Sequence, residues 1–197
     1  MIVERFSIAA LLVASLTLGG LVLARCDRGS TSTAEDGAVV DTELLAFLSL
    51  ARSHHHEATI LEDRGDKSGA IEALRKITTA PKPHPGERLP EVEEVLADAY
   101  ARIAQLELEA KDADAARKDV ETGLLHAPDP TYFRGHLLEV YGIVEQTRAG
   151  ELADAGQDAR AAEASAHALT LLRQAVDVQE GVIGRVLDAG AVDGGTK

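Results

Sequence analysis

The chain has 197 residues, with 33 acidic against 20 basic side chains and a formal net charge of −13. This balance argues against nucleic-acid binding, which requires basic faces, and against docking onto anionic lipid. Cys26 is the single cysteine, so an internal disulfide or a multi-thiolate metal site is excluded. The chain beyond the N-terminus is rich in Ala, Leu, Glu and Arg, which predicts an all-α protein.

The N-terminal segment differs from the rest of the chain. Residues 6–24 are uncharged and strongly apolar, and they lie between Arg5 and Arg25. A run of this length can span a bilayer, and it also fits the core of a long signal peptide. We therefore expect residues 1–26 to be a membrane anchor or signal segment, with three outcomes open: an uncleaved anchor helix, which we favour, a lipoprotein signal, or a cleaved secretory signal.

Cys26 is the residue on which the lipoprotein alternative depends. Leu23-Ala24-Arg25-Cys26 resembles a bacterial lipobox, although that motif has a small residue where this chain has Arg25. The resemblance implies lipidation at Cys26. Whether the tether is an anchor helix or a lipid, we expect a membrane-anchored protein that faces the periplasm or the cell exterior. Residues 27–40 are expected to form a flexible polar linker between the tether and the rest of the chain.

From residue 41 onward, apolar residues recur at steps of three and four, which is the spacing of one helical face. The pattern predicts six helices in three antiparallel hairpins, at about 41–80, 90–126 and 130–178. Four prolines between positions 80 and 90 separate the first two hairpins, and Asp129-Pro130 is expected to begin the fifth helix. We expect the helical domain to span 41–187 and the Gly-rich stretch 188–197 to be a disordered tail.

A repeat with a spacing of 46 residues is marked by Asp66, Asp112 and Asp158. Four residues after each aspartate lies an alanine, and eight residues before it lies a small residue: Ala70, Ala116 and Ala162, and Ala58, Ala104 and Gly150. In a helical hairpin, an aspartate at the start of the second helix caps free N–H groups, and small side chains let the two backbones approach closely. We therefore expect Asp66, Asp112 and Asp158 to be helix caps, and Arg64-Gly65-Asp66 to be a turn rather than an adhesion motif.

The same pattern resembles the tetratricopeptide repeat (TPR) family, which has a small residue, a Gly-Asp or similar turn, an alanine and a late proline in each unit. The first unit matches with Ala58, Gly65-Asp66, Ala70 and Pro81, and the second with Ala104, Lys111-Asp112, Ala116 and Pro128. The unit of 46 residues is longer than the family's, which has about 34. The resemblance implies a short TPR-like solenoid that binds protein partners through a helical groove.

The third unit has two interpretations. In the first, Gln157-Asp158 is the turn, and the apolar stripe of this unit comprises Leu152, Ala155, Ala159, Ala162, Ala166, Leu169 and Leu172. In the second, Gly150-Glu151 is the turn, and one long helix runs from about 151 to 186.

The chemistry-bearing residues give weaker signals. Neighbouring side chains on a helix point about 100° apart, so His54, His55 and His56 cannot all converge on one metal ion. The chain has no P-loop, G-x-G-x-x-G, G-x-S-x-G or H-E-x-x-H motif. Carboxylates such as Glu93 and Glu107 are expected on a solvated face. We therefore predict no enzymatic activity and no cofactor.

The sequence thus predicts a membrane-tethered helical-repeat scaffold or adaptor that mediates protein–protein interaction at the cell envelope. Tyr100, Tyr132 and Tyr141 are the candidates for its partner groove, although for Tyr132 and Tyr141 we favour core packing of the fifth helix. Self-association is left open. The alternative functions are metal or small-ligand binding by the His54–His56 cluster, and a purely structural oligomerising stalk.

Overall fold

The computed structural model describes the backbone of residues 40–193 and the side chains of residues 40–187. Within that range the prediction of an all-α protein is confirmed, since there are six helices and no strand. The helices are α1 (Thr42–Asp63), α2 (Lys67–Thr78), α3 (Pro90–Glu109), α4 (Ala113–His126), α5 (Tyr132–Asp154) and α6 (Asp158–Asp193). None of them is long and apolar enough to cross a membrane. The predicted anchor at 6–24 and Cys26 lie outside the described residues.

The helices pack in consecutive pairs: α1 with α2, α3 with α4, and α5 with α6. The first helices of the pairs also lie side by side, α1 against α3 and α3 against α5. Four alanines at the crossing points, Ala58, Ala70, Ala104 and Ala116, have no exposed surface. Because alanine adds only a methyl group, the paired backbones can approach closely at these points.

The core is continuous along the stack of hairpins. Leu74 and Ile77 of α2 pack with Ile103 and Leu106 of α3, and all four are buried. Further along, Val120 of α4 packs in one cluster with apolar side chains of α5 and α6, among them Leu137, Val140, Val144 and Leu171. Each helix therefore buries one stripe against its neighbours, which is the behaviour that steps of three and four predict.

The three hairpin turns have the same geometry. In each turn one residue has a positive φ: 78° at Gly65, 66° at Lys111 and 70° at Gly156. The next residue donates its N–H to the carbonyl five positions earlier, at 2.9 Å for Asp66, 2.9 Å for Asp112 and 2.8 Å for Gln157. This is the Schellman ending of a helix, which satisfies carbonyls that the helix leaves free.

The third turn lies one residue earlier than the first interpretation, a strict repeat of 46 residues, requires, and several residues after the Gly150-Glu151 turn of the second. Gln157 occupies the place of Asp66 and Asp112, whereas Asp158 is already the first residue of α6. The prediction that Asp158 caps the helix is therefore wrong, and so is a turn at Gly150, since α5 continues to Asp154. The cause is a third unit one residue shorter, 45 positions against 46, measured between the residues with positive φ.

This shift rotates the buried face of α6 by one residue. The buried side chains are Ala161, Ala164, Ala168, Leu171 and Ala175, whereas Leu169 of the predicted stripe is 54% exposed. One residue of displacement is about 100° around a helix, enough to exchange a core position for a surface position. Likewise Ala149, and not Gly150, is the buried small residue of α5.

The start of α5 also differs from the prediction. Thr131 is the N-cap, its hydroxyl accepts a hydrogen bond from the N–H of Arg134 at 3.5 Å, and the helix begins at Tyr132. The N–H of Thr131 donates to the carbonyl of Asp129 at 2.8 Å, so Asp129 and Pro130 form the bend before the helix. A threonine hydroxyl caps here in place of the expected aspartate.

The shared turn geometry makes Lys111→Gly a stabilising substitution. Lys111 holds the left-handed conformation that Gly65 and Gly156 adopt without steric strain. We expect Lys111→Gly to raise the free energy of unfolding by about 1 kcal/mol, measured by urea denaturation. The control is Lys118→Gly, at an exposed position inside α4, which should lower it by about 1 kcal/mol. A loss of stability in Lys111→Gly would contradict the strained turn.

Candidate functional site

A cleft of about 200 Å³ lies where the start of α3, the end of α4 and the start of α5 meet. Pro128 and Phe133 give it apolar walls, and Arg88, Glu93 and His126 give it a charged floor. Asp129 and Thr131, from the bend before α5, stand at its edge. The site therefore depends on three segments that the stacking of hairpins brings together.

Glu93 is the centre of the charged floor. Its side chain is 14% exposed and lies 2.9 Å from Nη2 of Arg88, 3.0 Å from Nδ1 of His126 and 3.8 Å from Nζ of Lys82. Burial opposes the ionisation of Glu93, but the hydrogen bond to His126 and the neighbouring positive charges outweigh it and hold its pKa below the ordinary value. The floor is thus a fixed ion-pair network.

Two of the three predicted groove tyrosines lie next to this cleft. Tyr100 stacks on His126 with ring centroids 5.6 Å apart and planes 9° apart, so it supports the imidazole of the charged floor. Tyr132 is 54% exposed, stacks on His136 at 6.0 Å, and packs edge-on against Phe133 at 5.5 Å. Phe133, the neighbour of Tyr132, is the aromatic residue of this segment that lines the cleft.

Tyr141 lies elsewhere, in the core. It is 7% exposed, its hydroxyl donates to Oε1 of Glu121 at 2.6 Å, and its ring packs edge-on against His167 at 5.4 Å. Tyr141 therefore has the core position that we favoured for it, and its alternative role in a partner groove is wrong. Its spacing along α5 matched the buried stripe, and burial of the ring explains its position.

The predicted caps have distinct positions. Carboxylate oxygens of Asp66 and Asp112 accept hydrogen bonds from the N–H groups of Gly69 at 2.9 Å and Ala115 at 3.0 Å. These contacts satisfy one free donor at the start of α2 and one at the start of α4. Before α6 the corresponding position is held by Gln157, so the start of that helix has no aspartate cap. Gly65 and Asp66 of the Arg-Gly-Asp tripeptide are thus a helix end and a helix cap.

The histidine cluster does not converge. Nδ1 of His54 lies 2.9 Å from Glu57 on its own helix, whereas Nε2 of His55 lies 3.7 Å from Asp98 on α3. Burial lowers the pKa of His55. His56 lines a shallow surface with Ser53 and Ile60. Across the described residues, no three His, Cys, Asp or Glu side chains are placed to hold a metal ion.

Glu107 and Asp119 form a buried acidic pair that the sequence analysis missed. Each residue is 6% exposed, and Arg75 bridges them, with Nη2 2.9 Å from Oε1 of Glu107 and 2.6 Å from Oδ2 of Asp119. Burial, reinforced by Asp119, raises the pKa of Glu107 to about 8. The expected solvated position of Glu107 is wrong, and its place four residues after buried Ile103 was the available signal.

Glu145 of α5 centres a second charged cluster. It is 3% exposed and lies 3.0 Å from Arg148, 3.4 Å from Arg117 and 3.4 Å from His167. The cluster joins α4, α5 and α6. Because the cations and the carboxylate satisfy one another, we interpret it as a structural link between hairpins.

The cleft between α3, α4 and α5 is thus the candidate site. Its volume of about 200 Å³ lies below the range of about 300–1,000 Å³ typical of small-molecule sites, and it suits one or two side chains of a protein partner. No protein-family model matches the chain, and no curated protein or solved structure matches it significantly. Function is therefore inferred from the fold and the cleft alone.

The cap geometry leads to a paired prediction on stability. Asp112→Ala removes the acceptor of the Ala115 N–H and should lower the free energy of unfolding by about 1 kcal/mol. Asp158→Ala, one position inside α6, should cost only about 0.3 kcal/mol, since it removes a charge–dipole interaction and no cap. Both values follow from urea denaturation. Equal costs at the two positions would contradict the one-residue shift of the third turn.

Proposed function

We propose that the protein is a TPR-like helical-repeat scaffold that binds a protein partner at the cell envelope, tethered to the membrane through residues 6–24. The repeat is supported by three hairpin turns that share a left-handed residue and the same backbone hydrogen bond. The acidic net charge of −13 keeps such a scaffold away from nucleic acid.

The observation that carries the binding role is the cleft at the start of α5. Phe133 and Pro128 offer an apolar wall, and the Glu93 network beneath them is already satisfied by its own cations. An apolar or aromatic side chain of the partner fits such a cleft, and when it displaces water the Glu93 carboxylate stays paired with Arg88 and His126. The partner's main chain would then run along the exposed edge at Asp129.

Site-specific photo-crosslinking in the full chain tests the binding site. A photoreactive amino acid replaces Asp129, which is exposed at the edge of the cleft, and in the control it replaces Lys118, which is exposed on α4. We expect one discrete adduct with a membrane or envelope protein from position 129 and none from position 118. Mass spectrometry of the adduct identifies the partner. Adducts of equal yield at both positions, or none at 129, would contradict a partner site in the cleft.

The tether requires a separate measurement. Mass spectrometry of the mature N-terminus should find either an intact Met1 or a lipid on Cys26. A shortened, unmodified N-terminus would show that the protein is released and would remove the tether from the proposal, while leaving the crosslinking result valid.

A further inference from the structure

The outer face of α6 carries an apolar stripe that no other described element covers. Leu169, Val176, Ile183 and Leu187 are 54%, 55%, 58% and 68% exposed. They recur at intervals of seven and four, which places them on one side of the helix along about 27 Å. Among the described helices α6 packs only against α5, and none of the others covers this face.

Two exposed charges flank the stripe at one edge, and they have opposite signs. Arg173 and Glu180 lie three residues before and four residues after Val176, and neither has an ion-pair partner among the described residues. If this stripe packed against a membrane or against an uncharged segment, Arg173 and Glu180 would both face apolar groups. Removing two unpaired charges from water in this way costs free energy. Residues 6–24 of this chain contain no charge that could pair with either one.

We propose that α6 pairs with α6 of a second copy, antiparallel, about a two-fold axis near Val176. If the two-fold axis passes Val176 at right angles to the helix, the numbers of two residues that face each other add up to twice 176. Residue i of one copy then faces residue 352−i of the other, to within one position. Leu169 then meets Ile183 twice, Val176 meets its own symmetry mate, and Arg173 meets Glu180 twice. The three apolar residues nearest the axis, Leu169, Val176 and Ile183, thus face apolar side chains, Leu187 lies opposite Ser165 at the end of the contact, and each charge faces its opposite.

The stripe and its charges are therefore self-complementary, which selects a second copy over other occupants. In an antiparallel pair, residues on one edge of a helix meet the same edge of its mate, as the Arg173–Glu180 pairing requires. Pairing also explains why α6 is longer than every other described helix, ending at Asp193. The contact lies on α6, apart from the cleft at the start of α5, and it is independent of the proposed partner site.

Disulfide crosslinking of the full chain tests the axis directly. In the Cys26→Ser background, Val176→Cys should form a disulfide-linked dimer under mild oxidant, since the two cysteines approach each other at the axis. The control is Gln174→Cys, exposed on another side of the same helix, which should remain monomeric on denaturing gels. Both proteins are purified in the same detergent. Crosslinking of equal yield at 174 and 176, or none at 176, would overturn the proposal.

Charge reversal tests the pairing of Arg173 with Glu180. Arg173→Glu places like charges opposite each other at two points and should weaken dimerisation about tenfold in sedimentation equilibrium. The double variant Arg173→Glu/Glu180→Arg restores both pairs and should recover the wild-type dimer. Failure of the double variant to recover dimerisation would overturn the pairing, as would an unchanged dimer in the single variant. Crosslinking at position 129 should be unaffected in both, so that loss of the dimer and loss of the partner are distinguishable.

Discussion

Leu137→Ala is expected to lower the free energy of unfolding by about 2–5 kcal/mol, a large part of the stability of a domain of this size. Leu137 of α5 has no exposed surface and lies in the core cluster that joins α3 to α6. Its side chain also fills the space beside Gly123 of α4, where an added Cβ would lie only 2.7 Å from Leu137 Cδ2. Truncation therefore leaves a cavity bounded by tightly packed backbone, which cannot collapse to fill it.

Leu125→Ala is the matched control, because the substitution is identical and the side chain is 71% exposed. We expect a change within about 0.5 kcal/mol. Urea denaturation followed by circular dichroism measures both variants. If Leu137→Ala cost no more than Leu125→Ala, the packing of α5 between α4 and α6 would be wrong.

The helices and the first two turns could be predicted because they are local. A helix is fixed by apolar spacing, capping residues and the positions of proline, all of which lie within a few residues of each other. The third turn could not be placed by repeat arithmetic, since one residue fewer between Lys111 and Gly156 shifts everything after it. The backbone conformation decides there: Gly156 adopts the left-handed region that the turn needs, and a glycine at that position was readable in the sequence.

The candidate site was less predictable, because its groups come from distant segments. Glu93 and His126 are 33 positions apart, and their contact depends on how two hairpins stack. Tyr100 was singled out as a candidate for the partner groove, yet its ring stacks on His126 and supports that side chain. Sequence patterns identify the faces of helices, whereas the meeting of helix ends is a tertiary property.

The buried group of Arg75, Glu107 and Asp119 also joins distant segments and could not be predicted from the sequence. It has a larger effect on the stability of the protein. One arginine faces two carboxylates, and Oε2 of Glu107 is buried without a hydrogen-bond partner. Leaving a buried polar oxygen unpaired is costly when the group is charged and less so when it is protonated. The raised pKa of Glu107, about 8, follows from that difference.

The stability of the protein should therefore fall as the pH rises from about 4.5 to about 8 on account of Glu107. The unfolded chain releases this proton near the ordinary value of 4.5, whereas the folded chain retains it up to about 8. Between these values the folded state binds more protons, so each pH unit costs up to about 1.4 kcal/mol. Below about pH 4.5 the protonated Glu107 makes its full contribution to the free energy of unfolding, and above about pH 8 that contribution is lost.

Glu107→Gln isolates this effect, since glutamine keeps the shape of the protonated acid and cannot ionise. We expect Glu107→Gln to match the wild type near pH 4.5 and to exceed its free energy of unfolding by about 2–4 kcal/mol above pH 8. Glu109→Gln is the control: it lies two residues on, is 59% exposed and pairs with Lys67, so its difference from the wild type should vary little with pH. Urea denaturation at half-unit steps from pH 4.5 to 9 gives both differences. A pH-independent difference for Glu107→Gln would show that Arg75 keeps Glu107 ionised and that its charge outweighs the cost of burial.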